Sequence, residues 1–263
     1  MRIRGWGASD VGRKRDHNED SFLCNDVLAL YAVADGMGGH LGGERASRMA
    51  VDLMEQALRE AISARESSAT EFPGAGAAGP SAPLGGSMTK MLRNAVIEAD
   101  RAIYADALAD PAVAGMGTTL TALCFADRRA YLGHVGDSRA YLYRDGKARQ
   151  LTEDHSWIQD QVRAGLLSLA EAKESRFRNI ITRSVGFEPS VEPDMLDLVV
   201  QVGDCYLLCS DGLSNCLSQD EIGHVLTMQY YRDAPRTLIA MANDRGGDDN
   251  VTCVCVYASE NVA

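Results

Sequence analysis

Four apolar stretches of this 263-residue chain stop at, or start just after, an aspartate. "ALYAVAD" ends on Asp35, "YLGHVGD" on Asp137 and "CYLLCSD" on Asp211, while "GGDDN" sets Asp249 at the threshold of "VTCVCVY". Near the N-terminus stands an acidic pair, Glu19 and Asp20. A single aspartate after a strand is a turn residue, because Asp tolerates positive φ and bonds its own backbone. Asp145-Gly146, between "AYLY" and "ARQL", is such a corner. If several buried strands end side by side, however, their carboxylates converge at one edge of the core. Their repulsion there is tolerable only when cations neutralise it. The pattern implies bound metal. Oxygen ligands without a His or Cys cluster favour Mg²⁺ or Mn²⁺ over zinc or copper. Gly36 and Gly212 lack a Cβ, so an ion and its waters can reach the main chain, and the Gly36 carbonyl is itself available as a ligand.

The elements that must position these groups follow from hydrophobic periodicity. Apolar residues at three-and-four spacing predict an amphipathic helix from Glu44 to Ile62 and a second from Thr89 to about Leu108. Between them, Ser63 to Met88 is rich in Ala, Gly, Ser and Pro and reads as a mobile surface insertion. "GTTLTALCFA", "AYLGHVGDS" and "AYLYRDGKARQL" read as strands of an antiparallel meander. The His155 to Val185 segment is mainly helical or irregular. "DMLDLVVQV" and "CYLLCSD" return to strand, Ser218 to Met228 and Ala234 to Asn243 to helix, and "NVTCVCVYA" closes as a strand. Strands in runs with helices grouped between them predict an α+β fold in one domain spanning residues 1–263.

Composition excludes several functions. A net charge of −11 disfavours a nucleic-acid or anionic-membrane partner, which clustered Lys and Arg would bind. No apolar stretch has the length of a membrane span, and "MRIRGWGASD" lacks the apolar core of a signal peptide, so the expected location is the cytoplasm. Most of the seven cysteines sit inside apolar runs and read as reduced, buried small hydrophobes.

The motifs "RDHNED", "VADGMGGH", "GTTLTAL", "VGDSRAYLYRDG", "LTEDHS", "ITRSVG", "LLCSDGL" and "GGDDNVT" stand in the order found in metal-dependent serine/threonine protein phosphatases of the 2C type. From about Gly5 to Tyr257 the chain resembles the compact bacterial members. The resemblance implies a central sandwich of two antiparallel β-sheets flanked by helix pairs, a four-layer α-β-β-α arrangement. It implies a pair of tightly bound Mn²⁺ or Mg²⁺ ions at one end and a third, weaker ion. By motif position Asp35 matches the aspartate bridging the two metals, Gly36 the carbonyl ligand, and Asp211 and Asp249 the terminal ligands of the second metal. Glu19 and Asp20 match the acidic pair that holds metal-bound waters, Arg15 the arginine that binds the substrate phosphate, and Asp137 a ligand of the third ion.

Phosphomonoester hydrolysis gives these groups a use: a metal-activated water attacks phosphorus while Arg15 offsets charge on the phosphoryl oxygens. Arg15 lies in the basic run "RKR", as a solvated arginine would, and its spacing to Glu19 and Asp20 argues for the substrate role. His40 closes the Gly-rich loop, as either the general acid for the leaving alkoxide or a surface histidine beside a negative site. Met37 stands where eukaryotic members place a histidine. His17, His134, His155 and His224 read as structural, with His155 ordering the start of a flap over 155–185 where specificity resides. Asp137 is open to a turn reading, with Arg139 pointing to solvent. The expected substrate is a phosphorylated protein, the partner a cognate Ser/Thr kinase, and the expected state a monomer. Cysteine-phosphatase spacing and calcineurin-like blocks are absent. The rival from another class is a weakly catalytic phosphatase-like domain that binds a phosphoprotein as a regulator; it usually loses a metal-binding carboxylate, and Asp35, Asp211 and Asp249 are all present.

Overall fold

The computed structural model describes residues 1–70, 84–168, 171–172, 175, 177 and 180–260, without the side chains of residues 40, 65–70 and 84–87. Among the described residues, eleven strands form two antiparallel sheets. One contains β1 (Arg2–Asp10), β11 (Val251–Ser259), β10 (Cys205–Cys209), β7 (Arg139–Arg144) and β8 (Lys147–Gln150), in that order. The other contains β2 (Asp20–Asn25), β3 (Leu30–Met37), β5 (Leu120–Ala126), β6 (Arg129–Val135) and β9 (Asp194–Val199), with the short β4 (Gly117–Thr118) beside β3.

Alternation along the central strands builds the layers. In β3, Tyr31 and Val33 face the other sheet, and Leu30, Ala32 and Ala34 face the helices α1 (His40–Thr70) and α2 (Leu84–Ala109). In β10 and β11, Tyr206, Leu208, Val254 and Val256 enter the space between the sheets. Cys205, Leu207, Cys209, Cys253 and Cys255 on the opposite faces pack beneath α5 (Gln219–Met228) and α6 (Ala234–Asp244). Ser156 caps α3 (Trp157–Arg163), and Ser218 starts α5 with a capping box to Glu221. The result is the expected α-β-β-α sandwich.

Two sequence expectations need correction. The Ser63 to Met88 stretch is helical at both ends, because α1 runs on to Thr70 and α2 begins at Leu84. Met88 is buried in the core, so the apolar face of α2 begins before the expected Thr89. The rest of the expected insertion, residues 71–83, lies outside the described residues. The expected meander is instead two hairpins, β5–β6 in one sheet and β7–β8 in the other. The chain crosses between sheets at Gly136, whose φ of 108° breaks the strand. Asp137 sits on this crossing. The "RDGK" corner is as expected, with Asp145 and Gly146 both at positive φ.

Candidate active site

Every predicted acidic residue comes from the same end of the sandwich. Asp20 opens β2 directly opposite Asp35 near the end of β3. Asp211 follows β10 and begins the short helix α4 (Asp211–Ser214), and Asp249 lies two residues before β11. Both sheets therefore deliver carboxylates to one edge, as the strand-end pattern requires.

The electrostatics confirm their convergence. Burial and then Asp20, Asp211, Asp137 and Asp249 hold the Asp35 carboxyl far above its ordinary range. Burial, opposed by hydrogen bonds and reinforced by Asp211 and Asp249, pushes Asp20 up to about 7. Burial and Asp211 push Asp137 up to about 8. Asp211 is raised by burial and Asp249, while a hydrogen bond from Asp35 acts the other way. A proton shared between two carboxyls does the work of a cation.

Among the described residues no three acidic, histidine or cysteine side chains close around one point as a preformed cage. The donor chemistry nonetheless fits hard divalent ions. Asp20 Oδ2 accepts from Ser210 at 2.8 Å, while Oδ1 is buried without a hydrogen bond in good geometry. The nearby Thr252 hydroxyl, which lowers the Asp20 pKa, is engaged with Ser9 at 2.7 Å. At Gly36 a Cβ would lie 2.0 Å from the Gly43 carbonyl oxygen and 2.7 Å from that of Glu19, so only glycine lets β3, the Glu19 loop and α1 meet. Gly212 is constrained likewise, 2.0 Å from the Asn250 carbonyl oxygen.

Arg15 donates to Asp249 Oδ2 at 2.9 Å with its side chain half exposed, so the guanidinium lies at the acidic edge and reaches solvent. Burial opposes its charge, and Asp249, Glu19 and Asp35 uphold it. Asp137 is 8 % exposed. Arg139 does not point to solvent as the turn reading required: its Nη2 and Nε donate to Asp154 at 2.6 and 2.9 Å. The charge of Asp154, next to the 155–185 segment, captures it. His40 begins α1, but its side chain lies outside the described residues.

Sequence reasoning missed the neutral residues that hold this edge together. Thr119 Oγ1 accepts the Asp35 N–H at 2.9 Å and bonds Ser138 Oγ at 2.8 Å, and the Thr119 N–H donates to the Asp35 carbonyl at 2.9 Å. One buried threonine thus joins the Asp35 and Asp137 turns. Asn250 Oδ1 accepts the Glu19 N–H at 2.8 Å, and its Nδ2 donates to the Val11 and His17 carbonyls at 2.9 Å each. That clamp sets the loop carrying Arg15 and Glu19. Their only sequence signal was a place inside "GTTLTAL" and "GGDDNVT".

Residues 10–246 match the protein phosphatase 2C family model. The chain is 35% identical over 252 residues to the serine/threonine phosphatase stp of Listeria monocytogenes, covering 94% of this chain and 93% of that protein. The crystal structure of the Mycobacterium tuberculosis serine/threonine phosphatase PstP/Ppp superposes with a TM-score of 0.85 at 35% identity, over 99% of this chain and 100% of the other. A structure of the PstP catalytic domain in complex with two manganese ions superposes with a TM-score of 0.79 at 34% identity, over 98% of this chain and 99% of the other. The chain belongs to the protein phosphatase 2C family, whose bacterial relatives here are serine/threonine phosphatases.

Proposed function

We propose that the protein hydrolyses phosphoserine and phosphothreonine in phosphorylated proteins, with Mn²⁺ or Mg²⁺ held by Asp35, the Gly36 carbonyl, Asp211 and Asp249. The observation that carries this reading is the meeting of five carboxylates from both sheets, with Asp20, Asp137, Asp211 and Asp249 all raising the pKa of Asp35. When bound, such ions supply a water acidic enough to attack phosphorus near neutral pH. Asp20, with one buried oxygen uncommitted, and Glu19 orient water at the edge. Arg15 presents a planar fork to the phosphoryl oxygens, and its hold on Asp249 keeps that fork at the site. Asp137, fixed at the sheet crossing, takes the third, weaker ion. His40, at the end of the Gly-rich loop, gives the leaving alkoxide its proton. Residues 155–185 border the site as a flap and choose the substrate, and the enzyme works in the cytoplasm as a monomer opposite a bacterial Ser/Thr kinase.

The regulator reading predicts binding without turnover. The two separate in an assay of an aryl phosphate and a phosphothreonine peptide with Mn²⁺, with chelator, and with the Asp249→Asn variant. Hydrolysis that needs the ion and is lost in Asp249→Asn supports the enzyme; undiminished hydrolysis in excess chelator, or none under any condition, overturns it.

A further inference from the structure

His155 lies 5 % exposed at the junction of the Asp137 turn with both ends of the 155–185 segment. Its Nδ1 accepts the Gly136 N–H at 3.0 Å, and its own N–H donates to the Gly136 carbonyl at 2.8 Å. A main-chain N–H can only donate, so Nδ1 is the unprotonated nitrogen and Nε2 carries the hydrogen of the neutral ring. Nε2 then donates to Asp194 Oδ2 at 3.2 Å, and Asp194 Oδ1 takes Arg183 Nη1 at 2.7 Å. Arg183 Nη1 and His155 Nε2, 3.0 Å apart, are two donors drawn to one carboxylate. The His155 carbonyl accepts the Thr182 N–H at 2.9 Å. One residue thereby ties the start of the segment, its far end and the first strand residue of β9 to Gly136.

The other side of Gly136 is closed as well, since a Cβ there would lie 2.6 Å from the Thr119 Cβ. Asp154, the residue before His155, holds Arg139, two residues beyond Asp137. Consecutive residues thus grip the Asp137 turn on both flanks. The His134 ring packs against His155 with centroids 4.8 Å apart, and bonds the Glu153 carbonyl at 3.1 Å. Both ring nitrogens of this buried histidine are satisfied, and by different elements: Nδ1 by the Gly136 turn and Nε2 by Asp194 of β9.

We propose that His155 is a positioning residue that couples the 155–185 segment to the Asp137 turn, with Nδ1 setting the turn and Nε2 setting the segment. The kinetic consequence rests on the hydrolytic function proposed above; the coupling itself does not.

Two amide variants divide the tasks. Asn places an acceptor near the Nδ1 position, and Gln places an amide near the Nε2 position. Hydrogen exchange read residue by residue is expected to keep Gly136 protected in His155→Asn while residues 180–183 exchange at least about tenfold faster, and to show the reverse in His155→Gln. With a phosphothreonine peptide, His155→Asn is expected to change KM more than kcat, and His155→Gln kcat more than KM, each by about five- to tenfold. Wild-type exchange at both places in both variants, or an equal loss of protection at both places in both variants, overturns the proposal in favour of a packing role. Failure of all variants and wild type to hydrolyse phosphate would reject the function while the exchange data still judge the coupling.

Discussion

Raising the pH is expected to weaken this fold when divalent ions are withheld, the opposite of ordinary carboxylate behaviour. Asp20 rises from 3.8 to about 7 and Asp137 from 3.8 to about 8, chiefly through burial. Near neutral pH the folded chain therefore retains protons that the unfolded chain has released, and stability falls as pH rises through the folded pKa values. From about pH 6.5 to about pH 8, at roughly 1.4 kcal/mol per pH unit for each retained proton, Asp137 contributes about 1.6 and Asp20 about 0.8 kcal/mol of loss. Asp35 and Asp211, also raised, act in the same direction. His134, lowered to about 3, and His155, also lowered, oppose them: their unfolded forms shed protons in this window, and stability rises by about 0.4 kcal/mol for His134. The carboxylates win by about 2 kcal/mol, or about 4–8 °C in Tm for a chain of this size. Buried thiols such as Cys124, held near 12, exert most of their influence above this window. Thermal unfolding followed by circular dichroism in chelator provides the measurement, with Asp137→Asn as the control that removes its own contribution of about 1.6 kcal/mol. In saturating Mn²⁺ the slope should reverse, because ion binding requires ionised carboxylates and releases their protons. A Tm in chelator that holds level or rises over this window, or a slope untouched by Asp137→Asn, would refute the electrostatic account.

Thr119→Val, which keeps the shape and removes the hydroxyl, strands the Asp35 N–H and the Ser138 hydroxyl in the interior. A loss of about 2–4 kcal/mol in urea unfolding is expected, and a loss below about 0.5 kcal/mol would show that neither group depends on it. Asp137→Ala separates the ligand from the turn: turnover should fall strongly while stability in chelator holds or rises, because the desolvation cost of that buried carboxyl is removed. Unchanged turnover with about 1 kcal/mol of lost stability would return Asp137 to the role of a turn residue.

The layers and the acidic edge were legible because they depend on local pattern. Near-continuous apolar runs such as "LYAVA" and "CVCVY" specify strands buried on both faces, and strands buried that way must end where polar groups can reach solvent, so an aspartate beside each run marks the edge. What pattern does not encode is which sheet a strand joins. "AYLGHVGDSRAYLY" reads as one continuous pair of strands, yet Gly136 sends its halves into different sheets. That crossing is what brings Asp137 within the influence of Asp211. The supports were hidden for a related reason. Thr119, Asn250 and Ser210 are small polar residues in apolar surroundings, indistinguishable in sequence from Thr121 or Ser138. Their importance comes from partners far away in the chain: Thr119 and Asp35 are 84 residues apart, Asn250 and Glu19 231 apart, and Ser210 and Asp20 190 apart. An aspartate at a strand end carries its charge wherever the chain goes, so its chemistry can be inferred before the fold is known. A threonine acquires a function only when the fold supplies the group it bonds.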